Sequence, residues 1–261
     1  MAASSAQPAI YPDLAGRTAF VTGGSGGIGA ETCRWLAANG ARVAVGGRNR
    51  AALDEVVGAI AAERGEAMAV VADCTDAAAL AEARALIAGR FGAVDILMAF
   101  AGGGTARPAP VHETAETDWR SGLDHNLTAS FLTVKTFLPD MYRRGAGAIV
   151  TMASTAGRQA SPASSAYAAA KAGVIMLTRH LAAEAGPSGI RVNCVSPSAI
   201  LTERTAAHML PETRAAVAAM HPLRRLGTPA DVAGAALFLA SASASWITGA
   251  TLDVAGGRLM H

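Results

Sequence analysis

Seven short apolar runs recur along this chain, at about 18–22, 42–46, 67–72, 94–99, 148–153, 191–195 and 251–254. Segments of helical period separate most of them, at about 27–39, 50–64, 76–91, 117–143, 164–185 and 229–241. Strands that alternate with helices are joined by crossovers, which makes neighbours parallel and the connections right-handed. Runs that are apolar on both faces need cover on both. The pattern predicts an α/β fold with a single doubly wound parallel sheet and helices on both faces. With 51% apolar and 16% charged residues among 261, the chain has enough apolar surface for one well-filled core. No fixed-period repeat or long Pro/Gly/Ser linker divides it. Residues 1–14, rich in Ala, Ser and Pro, are expected to form a mobile arm, leaving 15–261 as the domain. The stretch at about 198–229 has no strand pattern and is expected to be a substrate lid.

A formal charge of +2 with scattered Lys and Arg argues against nucleic acid or a membrane surface and leaves small molecules as the expected partners. Cys33, Cys74 and Cys194 are odd in number and far apart, so neither a disulfide framework nor a zinc site is expected, and a reducing cytoplasm fits. The six histidines share no metal spacing. The first residues carry no basic and apolar leader pattern, and no run of 18 apolar residues follows, so secretion and membrane spanning are not expected.

Between the first apolar run and the first helix lies Thr22-Gly-Gly-Ser-Gly-Gly-Ile-Gly29. Glycines there let backbone amides at a helix N-terminus approach a pyrophosphate. Two registers fit: Gly24, Gly26 and Gly29 satisfy G-x-G-x-x-G, while Gly23, Gly27 and Gly29 satisfy T-G-x-x-x-G-x-G. About 20 residues past such glycines, an acid selects NAD(H) by accepting from the ribose 2′-OH. Here Gly47 is followed by Arg48, Asn49 and Arg50. The planar fork of Arg48 suits a 2′-phosphate, which favours NADP(H) and leaves NAD(H) possible. The alternative is that Arg48 and Arg50 are solvated residues opening a surface helix. Asp73, after the third run, could accept from an adenine amino group or cap a helix, although Asp76 fits the cap better.

Tyr167 and Lys171 are four residues apart in a helical segment and therefore share a face. At an effective dielectric of about 20, charges about 5 Å apart interact by about 3 kcal/mol, enough to draw a phenol with a usual pKa of about 10 toward neutrality. Ser154 closes the fifth run at the sheet edge where ligands bind, and Asn126 is a polar residue in an otherwise apolar helical stretch. Singly, these could be a turn cap, a helix kink and an ordinary core aromatic.

These motifs, together with Pro197-x-x-x-x-Thr202, Arg225-Leu-Gly-Thr-Pro and Ile247-Thr-Gly, make the chain resemble the short-chain dehydrogenase/reductase family from about Leu14 to Gly257. The resemblance implies a Rossmann-like fold and a catalytic tetrad. Ser154 would hold a carbonyl oxygen and Tyr167 donate a proton. Lys171 would bond the nicotinamide ribose and lower the tyrosine pKa, while Asn126 anchors a water of the proton relay. It further implies cofactor contacts from Gly23, Ser25, Gly27, Ile28 and Gly29, and from Arg48, Asn49, Asp73 and Cys74. Ala101, Gly102 and Pro197 join these, with Ile200 and Thr202 on the carboxamide. A homotetramer is implied, paired through the helices at about 117–143 and 164–185.

The chain departs from the family pattern in three places. Asn-Asn-Ala-Gly becomes Ala99-Phe100-Ala101-Gly102, Pro-Gly becomes Pro197-Ser198, and Asp-Gly-Gly becomes Ala255-Gly256-Gly257. Gly102 to Gly104 are expected to loosen the adjoining loop. The activity implied is NADPH-dependent reduction of a ketone or aldehyde, nearest in pattern to 3-oxoacyl-carrier-protein reductases and broad-range ketone reductases. Gly145 and Ser188 fall where carrier-binding members show basic residues, with Arg143 and Arg144 nearby, which favours a free carbonyl substrate over an acyl carrier. A dinucleotide-sensing protein without turnover is the reading from another class. His208 and His221 are expected on the substrate side of the lid, and Trp35, Trp119 and Trp246 as packing aromatics.

Overall fold

Each apolar run forms a strand in the computed structural model, which describes residues 7–104 and 107–260 apart from the side chain of His208. The strands are β1 (Thr18–Val21), β2 (Arg42–Gly47), β3 (Glu66–Val71), β4 (Ile96–Ala99), β5 (Gly147–Met152), β6 (Ile190–Pro197) and β7 (Thr251–Val254). They pair in parallel in the order β3-β2-β1-β4-β5-β6-β7. The order reverses between β1 and β4, and ligands of open α/β sheets bind outside the strand C-termini at such a point.

The helices are α1 (Gly27–Ala38), α2 (Arg50–Ala62), α3 (Ala77–Phe91), α4 (Glu116–Leu123), α5 (Ala129–Arg144), α6 (Ser165–Ala185), α7 (Glu203–His208), α8 (Pro211–Ala219) and α9 (Pro229–Ala240). On one face of the sheet α1, α2 and α9 bury Leu36, Leu53, Ile60 and Leu237; on the other, α3, α5 and α6 bury Ile87, Phe137, Met141 and Leu181. Each such side chain stabilises the fold by about 1.5–3 kcal/mol. Polar residues start the helices as their chemistry dictates: Asn49, Asp76, Ser164 and Thr228 accept from first-turn amides of α2, α3, α6 and α9.

The expected arm is docked from Ala9 onward. The Tyr11 amide donates to Asn39 Oδ1 at 2.6 Å, Asn39 Nδ2 donates to the Ala9 carbonyl at 3.1 Å, and Leu14 is buried. Residues 1–6 of that stretch lie outside the described residues. The continuous helix expected at about 117–143 is instead α4 and α5 joined by a π turn, Asp124–Thr128. The expected lid carries α7 and α8, whose short segments have little apolar period to announce them. Trp35 is a packing aromatic, but Trp119 is 38% exposed and Trp246, beside the open edge at β7, is 99% exposed.

Candidate active site

The glycine turn settles its own register. A β-carbon on Gly29 would lie 2.1 Å from the Gly23 carbonyl oxygen, a contact no side chain can make. Gly23 and Gly27 have φ of 69° and 52°, whereas Gly26 is extended with open space around it. Gly23, Gly27 and Gly29 are therefore all required by geometry, and although Gly24 is crowded too, by Val45 and the Val21 carbonyl, Gly26 is not, which favours the T-G-x-x-x-G-x-G register. The Thr22 hydroxyl accepts from the amides of Phe100 and Ala101, both at 3.0 Å, and so ties the end of β1 to the turn after β4. That clamp fixes the segment where the family's asparagine is missing.

From this turn a cleft of about 490 Å³ runs along the strand C-termini, lined by Gly23, Ser25, Gly27, Ile28, Gly29, Arg48, Asp73, Cys74, Ala101, Gly102 and Thr202 among the anticipated residues. The first turn of α1 has no side-chain cap, so its amides are available to an anion in the cleft. At the β2 end, Arg48 Nη1 lies 3.8 Å from Asp73 Oδ2, with both side chains substantially exposed. Asp73 Oδ1 accepts from the Thr75 amide at 2.9 Å and hydroxyl at 2.7 Å, which holds its carboxyl below the usual range. Burial raises the Cys74 thiol. Asn49 is spent on capping α2, at 3.2 Å from the Ala52 amide, and does not line the cleft.

Beyond the Gly102 and Met152 end of the cleft lie Ser154, Tyr167 and Lys171. Lys171 is 3% exposed, donates to the Met152 carbonyl at 2.9 Å, and has its Nζ 5.5 Å from the centroid of the Tyr167 ring. Burial lowers its pKa to about 8. The expected lowering of the Tyr167 pKa by Lys171 is not what this arrangement gives. Burial holds the phenol above its usual value, opposed by a hydrogen bond with Ser154 and by the charge of Arg204. The ammonium stands over the ring, and a proton on Lys171 is itself disfavoured by burial. Tyr167 is therefore a protonated donor near neutral pH.

Asn126 is fully buried in the π turn. Its Oδ1 accepts from the Gly103 amide at 2.9 Å, and its Nδ2 donates to the carbonyls of Gly103 at 3.0 Å and Gly122 at 2.9 Å. The side chain pins the glycine run at Gly103, the opposite of the loosening expected there. A β-carbon on Gly102 would lie 2.6 Å from Asn126 Oδ1 and 3.2 Å from Lys171 Nζ, so the two side chains converge on that residue.

The lid joins the cleft through Thr202, whose methyl carbon lies 3.0 Å from the β-carbon position of Gly27 and whose hydroxyl caps α7 by accepting from the Thr205 amide at 3.2 Å. Pro197 is buried at the end of β6, and Ile200 is buried in a bridge with Gly227, so both support the lid base from behind the lining. His221 does not face this cleft. It is buried between Ser198, 3.0 Å from Nε2, and the Val217 carbonyl, 2.7 Å from Nδ1. The side chain of His208 lies outside the described residues. Sequence reasoning missed His125, Met152 and Arg204 as lining residues and Thr22 as a clamp. Only Thr22, inside the glycine motif, carried a signal. Among the described residues no group of three or more His, Cys, Asp or Glu side chains could hold a metal ion, and no helix is long and apolar enough to cross a membrane.

Known proteins resemble this chain in sequence and in overall fold. The family model described as enoyl-(acyl carrier protein) reductase matches residues 23–258. The chain is 43% identical over 246 residues to cis-4-hydroxycyclohexanecarboxylate dehydrogenase of Sinomonas cyclohexanicum, covering 94% of this chain and 97% of that one. A 3-oxoacyl-[acyl-carrier protein] reductase from Brucella melitensis superposes with a TM-score of 0.92 at 34% identity, covering 100% of this chain and 99% of that chain. A 7α-hydroxysteroid dehydrogenase complexed with NADH and 7-oxo glycochenodeoxycholic acid gives 0.90 at 35% identity, covering 96% and 97%. With its parallel seven-stranded sheet, glycine turn and Ser154, Tyr167 and Lys171 cluster, the chain belongs to the short-chain dehydrogenase/reductase family, enzymes that act between CH–OH and carbonyl groups with NAD(P).

Proposed function

We propose that this protein reduces a ketone or aldehyde to an alcohol with NADPH, using Tyr167 as general acid. The observation that carries the reading is the convergence of Ser154, Tyr167 and Lys171 at one end of a cleft whose other end is a glycine turn. When bound, the dinucleotide supplies hydride. Backbone amides of the α1 first turn suit its pyrophosphate, the open space at Gly26 admits it, and Arg48 suits a 2′-phosphate. Ser154 orients the carbonyl oxygen, and Tyr167, protonated at neutral pH, gives its proton to the developing alkoxide. Lys171, buried and fixed by Met152, packs against the phenol ring, and the hydrogen bond with Ser154 and the charge of Arg204 ease the departure of that proton. Asn126 holds the glycine loop against this group.

Because the phenol holds its proton, the reductive direction should be flat near neutrality and fall at alkaline pH, while alcohol oxidation should rise with pH. Oxidation of a secondary alcohol with NAD⁺ is the second reading, favoured by the dehydrogenase names of two relatives and the NADH in one of them. Steady-state rates with both cofactors separate the two: at least about tenfold higher kcat/KM with NADPH than NADH is expected, narrowed by Arg48→Gln. A preference for NADH would overturn the cofactor assignment.

Reduction of a 3-oxoacyl group carried on an acyl carrier protein fits less well. Gly145 and Ser188 offer no charge, and the neighbouring arginines are engaged, Arg143 with Asp140 and Arg144 with the Val94 carbonyl and Asp95. A sensing protein without turnover has no use for the three converging side chains. The homotetramer is read from exposed Phe131 on α5 and Met176 on α6, with exposed Trp246 near β7, and the cytoplasm from three buried free cysteines.

A further inference from the structure

Four arginines lie in the lid, and three of them hold it together. Arg214 donates to the carbonyls of Met209 and Ala206, Arg224 to that of Ala219, and Arg225 to both carboxylate oxygens of Asp231. For Arg204, the second residue of α7, no hydrogen-bond or carboxylate partner occurs among the described residues. Its guanidinium instead reaches back across the cleft to the glycine loop. A β-carbon on Gly103 would lie 3.3 Å from Nη2 and 3.4 Å from Nη1, so the absence of a side chain at Gly103 is what admits the group. Asn126 fixes Gly103 from the other side, and Gly102, the preceding residue, adjoins Lys171. The guanidinium is also close enough to Tyr167 for its charge to act on the phenol.

A planar guanidinium with no carboxylate partner among the described residues, held between lid and floor, is built to take a bidentate oxyanion. The cofactor phosphates have their own donors at the glycine turn and Arg48, toward the other end of the cleft. From the guanidinium placed against Gly103 beside the Asn126 and Lys171 cluster, we infer that Arg204 recognises a carboxylate on the substrate, making the natural substrate a hydroxy acid or oxo acid. This rests on the reductase reading and narrows it. The carboxylate lies against Arg204 while the reacting carbon lies at Tyr167.

The test compares oxo acids with their methyl esters: 2-oxo and 4-oxo chain acids and 4-oxocyclohexanecarboxylate, with cofactor at saturation. The wild-type enzyme should favour the acid of at least one pair by about tenfold or more in kcat/KM, the scale of one charge-assisted hydrogen bond. Arg204→Gln should lower kcat/KM for that acid about 10- to 100-fold more than for its ester, with Arg204→Lys recovering part of the difference. Equal use of acid and ester by the wild type, or an equal fall on both in Arg204→Gln, would overturn the inference while leaving the reductase reading intact. A loss of NADPH binding in Arg204→Gln, read by fluorescence titration, would also overturn it by assigning the guanidinium to the cofactor. No turnover of any acid, ester or neutral ketone would overturn both readings.

Discussion

The floor of the cleft and the lid above it are held in different ways. In the floor, backbone meets backbone and polar side chains are buried: Gly29 packs on the Gly23 carbonyl, Thr22 clamps β1 to the β4 turn, and Asn126 and Lys171 are both nearly sealed from solvent. In the lid, side chains near solvent hold short helices. Thr202 and Thr205 cap α7, α8 buries none of its residues, and the lid's far end is tied to the core helix α9 by the Thr228 and Asp231 capping box and the Arg225 pair with Asp231. The floor therefore fixes the geometry of the reacting groups, while the lid can vary in sequence without loss of fold. In the proposed function, chemistry belongs to the first region and selection of substrate to the second.

Gly29→Ala puts the sharpest strain on the comparison. Its β-carbon would enter the Gly23 carbonyl, so the floor has to move, and thermal unfolding should show a loss of roughly 3 kcal/mol or more with cofactor binding abolished. Unchanged stability would mean that the floor yields as readily as the lid.

Lys171→Met tests the same rigidity with the opposite sign. The folded pKa of about 8 lies below the ordinary lysine value of 10.5, so the unfolded chain binds the extra proton between those two values. Stability should rise with pH across that window, and at pH 7 the buried ammonium is a cost. Removing it should stabilise the cofactor-free protein by roughly 1–2 kcal/mol after loss of the Met152 hydrogen bond, while activity is lost. Denaturant titration at pH 7 checks this, and a less stable variant would contradict it.

The smallest effect belongs to the lid. Asp231 has its pKa lowered to about 2, first by hydrogen bonding to Arg225, so its contribution is fully present above about pH 4 and is lost as pH falls through 2. Asp231→Asn should cost about 1 kcal/mol at pH 7 and flatten that acid-side loss. A cost as large as that of Gly29→Ala would erase the contrast between the two regions.

How much of this the sequence disclosed follows the same division. The strands were legible because fully apolar runs have nowhere to go but a covered sheet, and the floor residues because Gly29, Ser154, Tyr167 and Lys171 sit in fixed spacings. The glycine register was not, since two patterns fitted and only the positive φ of Gly23 and Gly27, against an extended and open Gly26, separates them. Spacing placed Lys171 near Tyr167 but could not give its burial, which reverses the expected pKa shift. The π turn at Asn126 was hidden because apolar period runs through it. Arg204 was invisible because nothing in its local sequence marks it, and only the fold carries it across to Gly103, about a hundred positions earlier in the chain.

The central claim is that Tyr167 supplies the proton at the reacting end of the cleft. Tyr167→Phe keeps the packing and deletes only the hydroxyl, so carbonyl reduction and NADPH affinity should be measured on that variant together. The account predicts turnover lower by about 10³-fold or more with affinity within about threefold of the wild type. A variant that retained most of its turnover would contradict it.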